Sequence, residues 1–493
     1  MMAEFAVPGA IAVPLAGAVL IAAARRMPNL RETVTLVTAG LLFLVVASLA
    51  PEVLAGVRPH AHLAQVMPGV ALAFQVEPLG MLFALVASGL WIVNSLYSIG
   101  YMRRNEERHQ TRYYVCFALA LASTMGIAFA ANLFTLFLFY EALTLVTYPL
   151  VTHHGTEEAV RAGRLYLGML IGSSIAFLLL AIVWTWFIAG TIEFTPGGIL
   201  AGKASNAMTG LLLALYVFGI GKAAVMPVHR WLPAAMVAPT PVSALLHAVA
   251  VVKAGVFAVL EVVVYVFGVD AIAGLKSVDW LPFFAGFTII AASIVALRSD
   301  NLKRRLAYST VSQLSYVVLA AALLTPLSVI GAALHIATHA LGKITLFFCA
   351  GAIYTAAHKT EVSQLAGIGR RMPWTMAAFT VGALSMIGLP PAAGFVSKWY
   401  MLSAAMGAGQ WGAVAVIVAG TLLSAGYLLP IVYRAFFLAP APTHGHQHGH
   451  HVEHGEAPLT MVAALSVSAA GTVALFFYPD TLLALSRQLV GAG

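Results

Sequence analysis

Four lysines, Lys222, Lys253, Lys343 and Lys398, stand in or beside runs of residues otherwise apolar enough to exclude charge. Glu141 lies in the middle of a further run, and His247, His335 and His339 share runs with Lys253 and Lys343. A Lys or Glu at the centre of a bilayer costs at least about 2.5–3.5 kcal/mol, so a chain that holds such a set must pair it or hydrate it. Desolvation lowers a lysine pKa and raises a glutamate pKa, and a nearby opposite charge does the reverse. Groups balanced between these effects can titrate near neutral pH and pass a proton on. His335, His339 and Lys343 are spaced i, i+4, i+8, so they share one helical face, as a relay requires. The same i, i+4 histidine pair can also bind zinc.

The backbone beside two of these lysines is predicted to break. In FGIGKAAVMPVHRWLPAAMVAPTPVSALLHAVAVVKAG, from Phe218 to Gly255, Pro227 removes the hydrogen bond that would reach the Ala223 carbonyl, next to Lys222. In SMIGLPPAAGFVSKWYML, Pro390 and Pro391 free the carbonyls of Met386 and Ile387 shortly before Lys398. Broken backbone at membrane depth survives only inside protein or beside water. A pair of Gly/Pro-interrupted spans, one in each half of a chain, points to inverted repeats around an ion path.

The elements that carry these residues follow from composition. The chain has 493 residues, 61% hydrophobic and 9% charged, which excludes a soluble globular protein of this length. Apolar runs long enough to cross a hydrocarbon core about 30 Å thick recur from end to end. We place about fourteen, beginning at 4–24 and 33–50 and ending at 411–433 and 458–479, and expect an all-α polytopic membrane protein. Sorted by alternate loops, eighteen of the 26 Lys and Arg fall on one side and only Arg58, Lys203, Lys276 and Arg487 on the other. The four buried lysines are what remains. That excess marks the cytoplasmic side, so both termini are expected outside an inner membrane. The net charge of +8 therefore reports topology, and no nucleic-acid partner is expected. The first run carries Arg25 and Arg26 behind it rather than a basic segment ahead, the pattern of a retained span. Cys116 and Cys349 both fall inside apolar runs, which argues against a disulfide framework or a thiolate metal site.

These segments resemble a known family, the antiporter-like subunits shared by Mrp-type multisubunit sodium/proton antiporters, respiratory complex I and membrane-bound hydrogenases. The matching motifs are NLFTLFLFYEALTLVTYPL around Glu141, GKAAVMPVHRWLPAAMVAPTPVSALLHAVAVVKAG, HIATHALGK and GLPPAAGFVSKW, spread over residues 78–437. The resemblance implies fourteen core helices, with helices 4–8 and 9–13 forming two inverted five-helix repeats, each with a broken helix. Expected divisions are N-terminal helices over 1–112, a first repeat over 113–268, a second over 269–437, a His-rich loop over 438–457 and a last helix and tail over 458–493. The resemblance makes Glu141 and Lys222 an ion pair of the first half-channel and Lys253 the connecting lysine. It makes His247, His335, His339 and Lys343 the relay and Lys398 the terminal lysine. Lys398 in place of Glu, and a chain ending soon after the last helix, are most similar to the D-type component of Mrp antiporters. Implied partners are other membrane subunits, lipid, and protons with sodium as second cargo. No cofactor and no catalytic site are implied.

The segment THGHQHGHHVEHGEAP departs from that pattern. It holds His444, His446, His448, His450, His451 and His454 in an expected cytoplasmic loop and suits either weak Zn or Ni binding or a linker. It supports a rival reading, a zinc or nickel transporter using His335 and His339. Lysines standing beside those histidines would repel a dication, which weighs against it. A membrane-embedded enzyme finds no nucleophile and base set, phosphate loop or cofactor motif. A proton-pumping subunit of a complex I-like dehydrogenase, hydrogenase or carbon-uptake assembly suits the same lysines as well as an antiporter does.

Overall fold

In hydrocarbon every backbone amide must find its partner within the protein, so apolar runs of this length fold as helices. The computed structural model of the chain describes residues 2–439 and 455–491. After α1 (Met2–Ala23) and α2 (Pro28–Leu54), the chain forms a hairpin of β1 (His60–Met67) and β2 (Val70–Gln75), then α3 (Pro78–Arg104), α4 (Gln110–Ala128) and α5 (Leu133–Val151). The hairpin is a departure from the all-α expectation; its antiparallel register runs from His60 opposite Gln75 to Met67 opposite Val70. α6 (Glu157–Ser173) passes through a π-helical turn, Ser174–Leu179, into α7 (Leu180–Ala189), and α8 (Asn206–Gly219) precedes a short α9 (Trp231–Ala234). Next come α10 (Thr240–Ala244), a π turn Leu245–Val249, α11 (Val251–Glu261), a second π turn Val262–Phe267 and α12 (Val269–Ile272). The second half holds α13 (Trp280–Arg298), α14 (Leu302–Ala322), α15 (Pro326–Ala357), α16 (Pro373–Ile387), α17 (Gly394–Gly407), α18 (Trp411–Phe437), α19 (Leu459–Phe477) and α20 (Asp480–Gln488).

A helix lies under each apolar stretch marked in the sequence, and among the described residues ten helices are long and apolar enough to cross a membrane. Local signals set their starts. Asn132 Oδ1 accepts from the Thr135 amide at 2.8 Å, so two helices separated by only four residues are each properly begun. Thr325 and Ser328 form a reciprocal capping box at the head of α15, with Pro326 at its first position, where a missing N–H costs nothing.

Two spans differ from the rest in what surrounds them. The most apolar window of Thr240–Phe267 is 100% buried inside the protein and that of Pro326–Ala357 is 94% buried, while the other spans are 33–67% buried. These two helices form the axis of the molecule, and the others wrap them with one face toward lipid. α15, with 32 residues, extends about 48 Å at 1.5 Å per residue. It packs against α3, α10, α11, α14, α16, α17 and α19.

Candidate functional site

Lys222 is fully buried in a single 3-10 turn, Gly221–Ala223. α8 has already ended at Gly219, and Ala224 adopts left-handed φ of 54°. Sequence reasoning puts the break beside the lysine, whereas the structure puts the lysine inside it. With Pro227 unable to donate and Ala224 turned left-handed, regular α-helix resumes only at Trp231. The broken turn is held by its neighbours: the Trp231 indole donates to the Gly221 carbonyl at 3.0 Å, and the Lys222 amide donates to the Tyr140 hydroxyl at 3.0 Å. Gly255 allows α11 to pass, since a Cβ there would lie 2.3 Å from the Ala223 nitrogen.

The Lys222 ammonium donates to the Tyr140 carbonyl at 2.7 Å and to Thr144 Oγ1 at 2.6 Å, and sits 3.2 Å from the Tyr140 ring centre. The ion pair expected between Glu141 and Lys222 is not formed. Tyr140 and Thr144 share the face of α5 toward the lysine, and Glu141 is turned about 100° away around the helix. Its carboxylate is buried without a hydrogen-bond partner, yet close enough to act electrostatically on Lys222.

The second break matches its expectation in detail. α16 ends at Ile387, Gly388 takes φ of 90°, and the Lys398 ammonium turns back to the freed carbonyls of Met386 at 2.9 Å and Ile387 at 3.1 Å. It also faces the Tyr316 ring at 4.5 Å. Gly394 lets α17 start against α16, because a Cβ there would lie 1.8 Å from the Ser385 carbonyl oxygen.

Between the breaks the two axial helices bring the remaining groups together. Lys253 Nζ contacts His339 Nδ1 across the α11–α15 interface. The His339 and His335 rings stack at 5.9 Å, and His335 Nδ1 bonds Ser397 Oγ at 2.8 Å, one residue before Lys398. Lys343 donates to Ser309 Oγ at 2.8 Å and to the Leu306 carbonyl at 3.3 Å. Ser309 in turn accepts from the Tyr427 hydroxyl at 3.0 Å. His247 lies in the π turn, 4.7 Å from the Phe347 ring, with both ring nitrogens unpartnered. His335 Nε2, His339 Nε2 and the whole Gln313 amide are also buried without partners. A dry interior does not tolerate so many orphaned polar atoms on one line, and bridging water satisfies such groups.

Several participants were invisible as such in the sequence. Tyr140, Thr144, Ser309, Ser397 and Tyr316 are ordinary side chains until tertiary packing aims them at a lysine or a histidine. The available signal was the buried polar run Ser309, Thr310, Ser312, Gln313 and Ser315 along α14, dense for an apolar span. Among the described residues no group of three or more His, Cys, Asp or Glu is placed to hold a metal. His444, His446, His448, His450, His451 and His454 lie outside the described residues. Cys116 and Cys349 are free and buried.

On the side of the arginine-rich loops, a pocket of about 260 Å³ opens between the halves, lined by Tyr101, Glu107, His154, Thr240, Lys303 and Tyr354. Glu107 Oε2 stands 3.8 Å from His153 Nε2 and 3.6 Å from His154 Nδ1. Burial lifts the Glu107 carboxyl above its ordinary range. Burial, and then the Arg112 charge, pulls His153 down to about 4, so it is neutral at pH 7.

Comparison with known proteins places this geometry. The family described as "NADH:quinone oxidoreductase/Mrp antiporter, TM" matches residues 130–424. The chain is 34% identical over 421 residues to NADH-quinone oxidoreductase subunit N of Desulforudis audaxviator, covering 83% of this chain and 82% of that protein. It is 29% identical over 446 residues to hydrogenase-4 component B of Escherichia coli, covering 84% of this chain and 64% of that one. A chain in the solved structure of the Mrp complex from Dietzia sp. DQ12-45-1b superposes with a TM-score of 0.87 at 24% identity, over 100% of this chain and 97% of that chain.

Proposed function

The chain belongs to the NADH:quinone oxidoreductase/Mrp antiporter transmembrane family, and we propose that it is the proton-translocating subunit of a multisubunit sodium/proton antiporter. The observation that carries this reading is the placement of His247, Lys253, His335, His339 and Lys343 on the two helices most completely shielded from lipid. A broken helix with its own lysine stands at each end of that row. Residues 113–268 and 269–437 act as two repeats in this reading, each supplying one break, and other membrane subunits cover the lipid-facing spans.

Protonation or displacement of Glu141 removes a negative charge near Lys222 and weakens that lysine's hold on its proton. The proton then moves to Lys253, and through His339, His335 and Ser397 toward Lys398. Lys343 and His247 form a branch toward the pocket lined by Glu107. Titration along such a coupled row belongs to the set and not to any one residue.

Purification with its partner subunits, reconstitution, and proton flux measured with and without sodium test the proposal. Lys222→Ala and Glu141→Ala should each lower flux by about tenfold or more, the loss of an acid–base group on the path. Unchanged flux in both variants removes the relay. A second reading, a proton-pumping membrane subunit of a complex I-like dehydrogenase, hydrogenase or carbon-uptake complex, is favoured by the likeness to subunit N, which extends over most of both chains. Flux indifferent to sodium but dependent on a redox partner selects it.

A further inference from the structure

Glu261 is buried, 2% exposed, and its Oε2 has no hydrogen-bond partner. It ends α11, eight residues beyond Lys253, with Phe257 midway on the same face. That spacing puts it about 12 Å along the helix axis, on the side opposite the arginine-rich loops. Beyond it, the π turn Val262–Phe267 carries Tyr265, which lies within electrostatic reach of both Glu261 and Glu77. The Tyr265 hydroxyl donates to Glu77 Oε2 at 3.2 Å.

Glu77 is fully employed. It receives Arg58 Nε at 3.2 Å and Gln75 Nε2 at 2.5 Å, and it stands at the head of α3. Arg58 continues to the Gln488 side chain on α20 at 3.1 Å. Exposure rises along this line: the Glu77 side chain is 10% exposed and that of Arg58 27%. No structural bond accounts for the free Glu261 oxygen, and a buried carboxylate without a partner is retained for chemistry more often than for stability.

We propose that Glu261 is the proton acceptor of an outlet that leaves the central row at Lys253 and reaches the hairpin side through Glu77, Tyr265 and Arg58. This rests on the relay reading above. The Lys253 ammonium gives up a proton and becomes an amine. Water carries that proton past Phe257, and the Glu261 carboxylate takes it to become a carboxylic acid. Release to the hairpin side restores the carboxylate, with Glu77 ion-paired to Arg58 beside the exit. Glu77 and Tyr265 lie within electrostatic reach of Glu261, and Gln75, Arg58 and Gln488 extend in turn from Glu77.

The test uses the reconstituted complex containing the full chain. Glu261→Gln keeps shape and removes the titratable oxygen, and should lower proton flux by about tenfold or more. Glu261→Asp retains a carboxylate and should recover flux to within about threefold of the unaltered complex. A loss that Glu261→Asp does not recover, or full flux in Glu261→Gln, overturns the outlet. Lys222→Ala, measured alongside, separates the two failures. Flux lost in Lys222→Ala but intact in Glu261→Gln leaves the relay and removes the outlet, whereas flux intact in both Lys222→Ala and Glu141→Ala removes both.

Discussion

The two broken helices solve one problem in different ways. At the second break Lys398 lies on the following helix and reaches back to main-chain carbonyls of Met386 and Ile387, and no carboxylate among the described residues is paired with it. At the first, Lys222 lies inside the break and leans on a neighbouring helix, on the Tyr140 carbonyl and the Thr144 hydroxyl, with the Glu141 carboxylate adjacent and unpaired. A lysine held by its own backbone keeps its partners whatever its neighbours do. A lysine held by another helix and watched by a free carboxylate can be switched. In the proposed relay this difference gives the first half the switchable lysine and the second the fixed one.

The largest expected effect breaks the packing that both share. Gly255→Ala drives a Cβ onto the Lys222–Ala223 backbone, and Gly394→Ala drives one onto the Ser385 carbonyl. Because backbone and not a flexible side chain must yield, each should cost about 3 kcal/mol, the upper part of the overpacking range. Thermal unfolding of the purified variants measures it, and equal losses at both sites support a common design. Normal melting of Gly394→Ala shows that the second break is looser than its contacts.

A smaller change sharpens the contrast. Thr144→Val removes a hydroxyl acceptor from the buried Lys222 ammonium, and a hydrogen bond to a charged group contributes about 1.5–3 kcal/mol. Flux in this variant should become more sensitive to pH, while the second break offers no side-chain acceptor of Lys398 to delete. An unaltered pH profile in Thr144→Val places control elsewhere.

The smallest effect concerns the loops on the arginine-rich side. His153 is pulled down from an ordinary value near 6.5 to about 4, so between those values the unfolded chain binds more protons than the folded one. Stability is then full above pH 6.5 and declines as pH falls toward 4. His153→Gln should flatten that part of the melting-temperature profile, and an equally steep profile in the variant shows that other groups set it.

Much of the site is legible one residue at a time. Lys222, Lys253, Lys343 and Lys398 stand out because charge in an apolar run is costly wherever the run folds. The break before Lys398 is legible because Pro390 and Pro391 lack donors, and the carbonyls they free are the ones the lysine occupies. Helix positions followed from hydropathy, since a bilayer leaves the backbone few choices. The hairpin at 60–75 is not legible in the hydropathy, being short, half-polar and outside every apolar run.

Other features waited for the tertiary structure. Hydropathy registers that a span is apolar but not whether lipid or protein surrounds it, so nothing along the chain singled out Thr240–Phe267 and Pro326–Ala357 as the buried axis. The facing of Tyr140 and Thr144, rather than Glu141, toward Lys222 depends on the rotation of α5 against the first break. The joining of Lys253 to His339, 86 residues apart, depends on which helices meet. Cost of burial is a property of each residue and can be read one position at a time. Partnership is a property of packing, and only the assembled helices decide it.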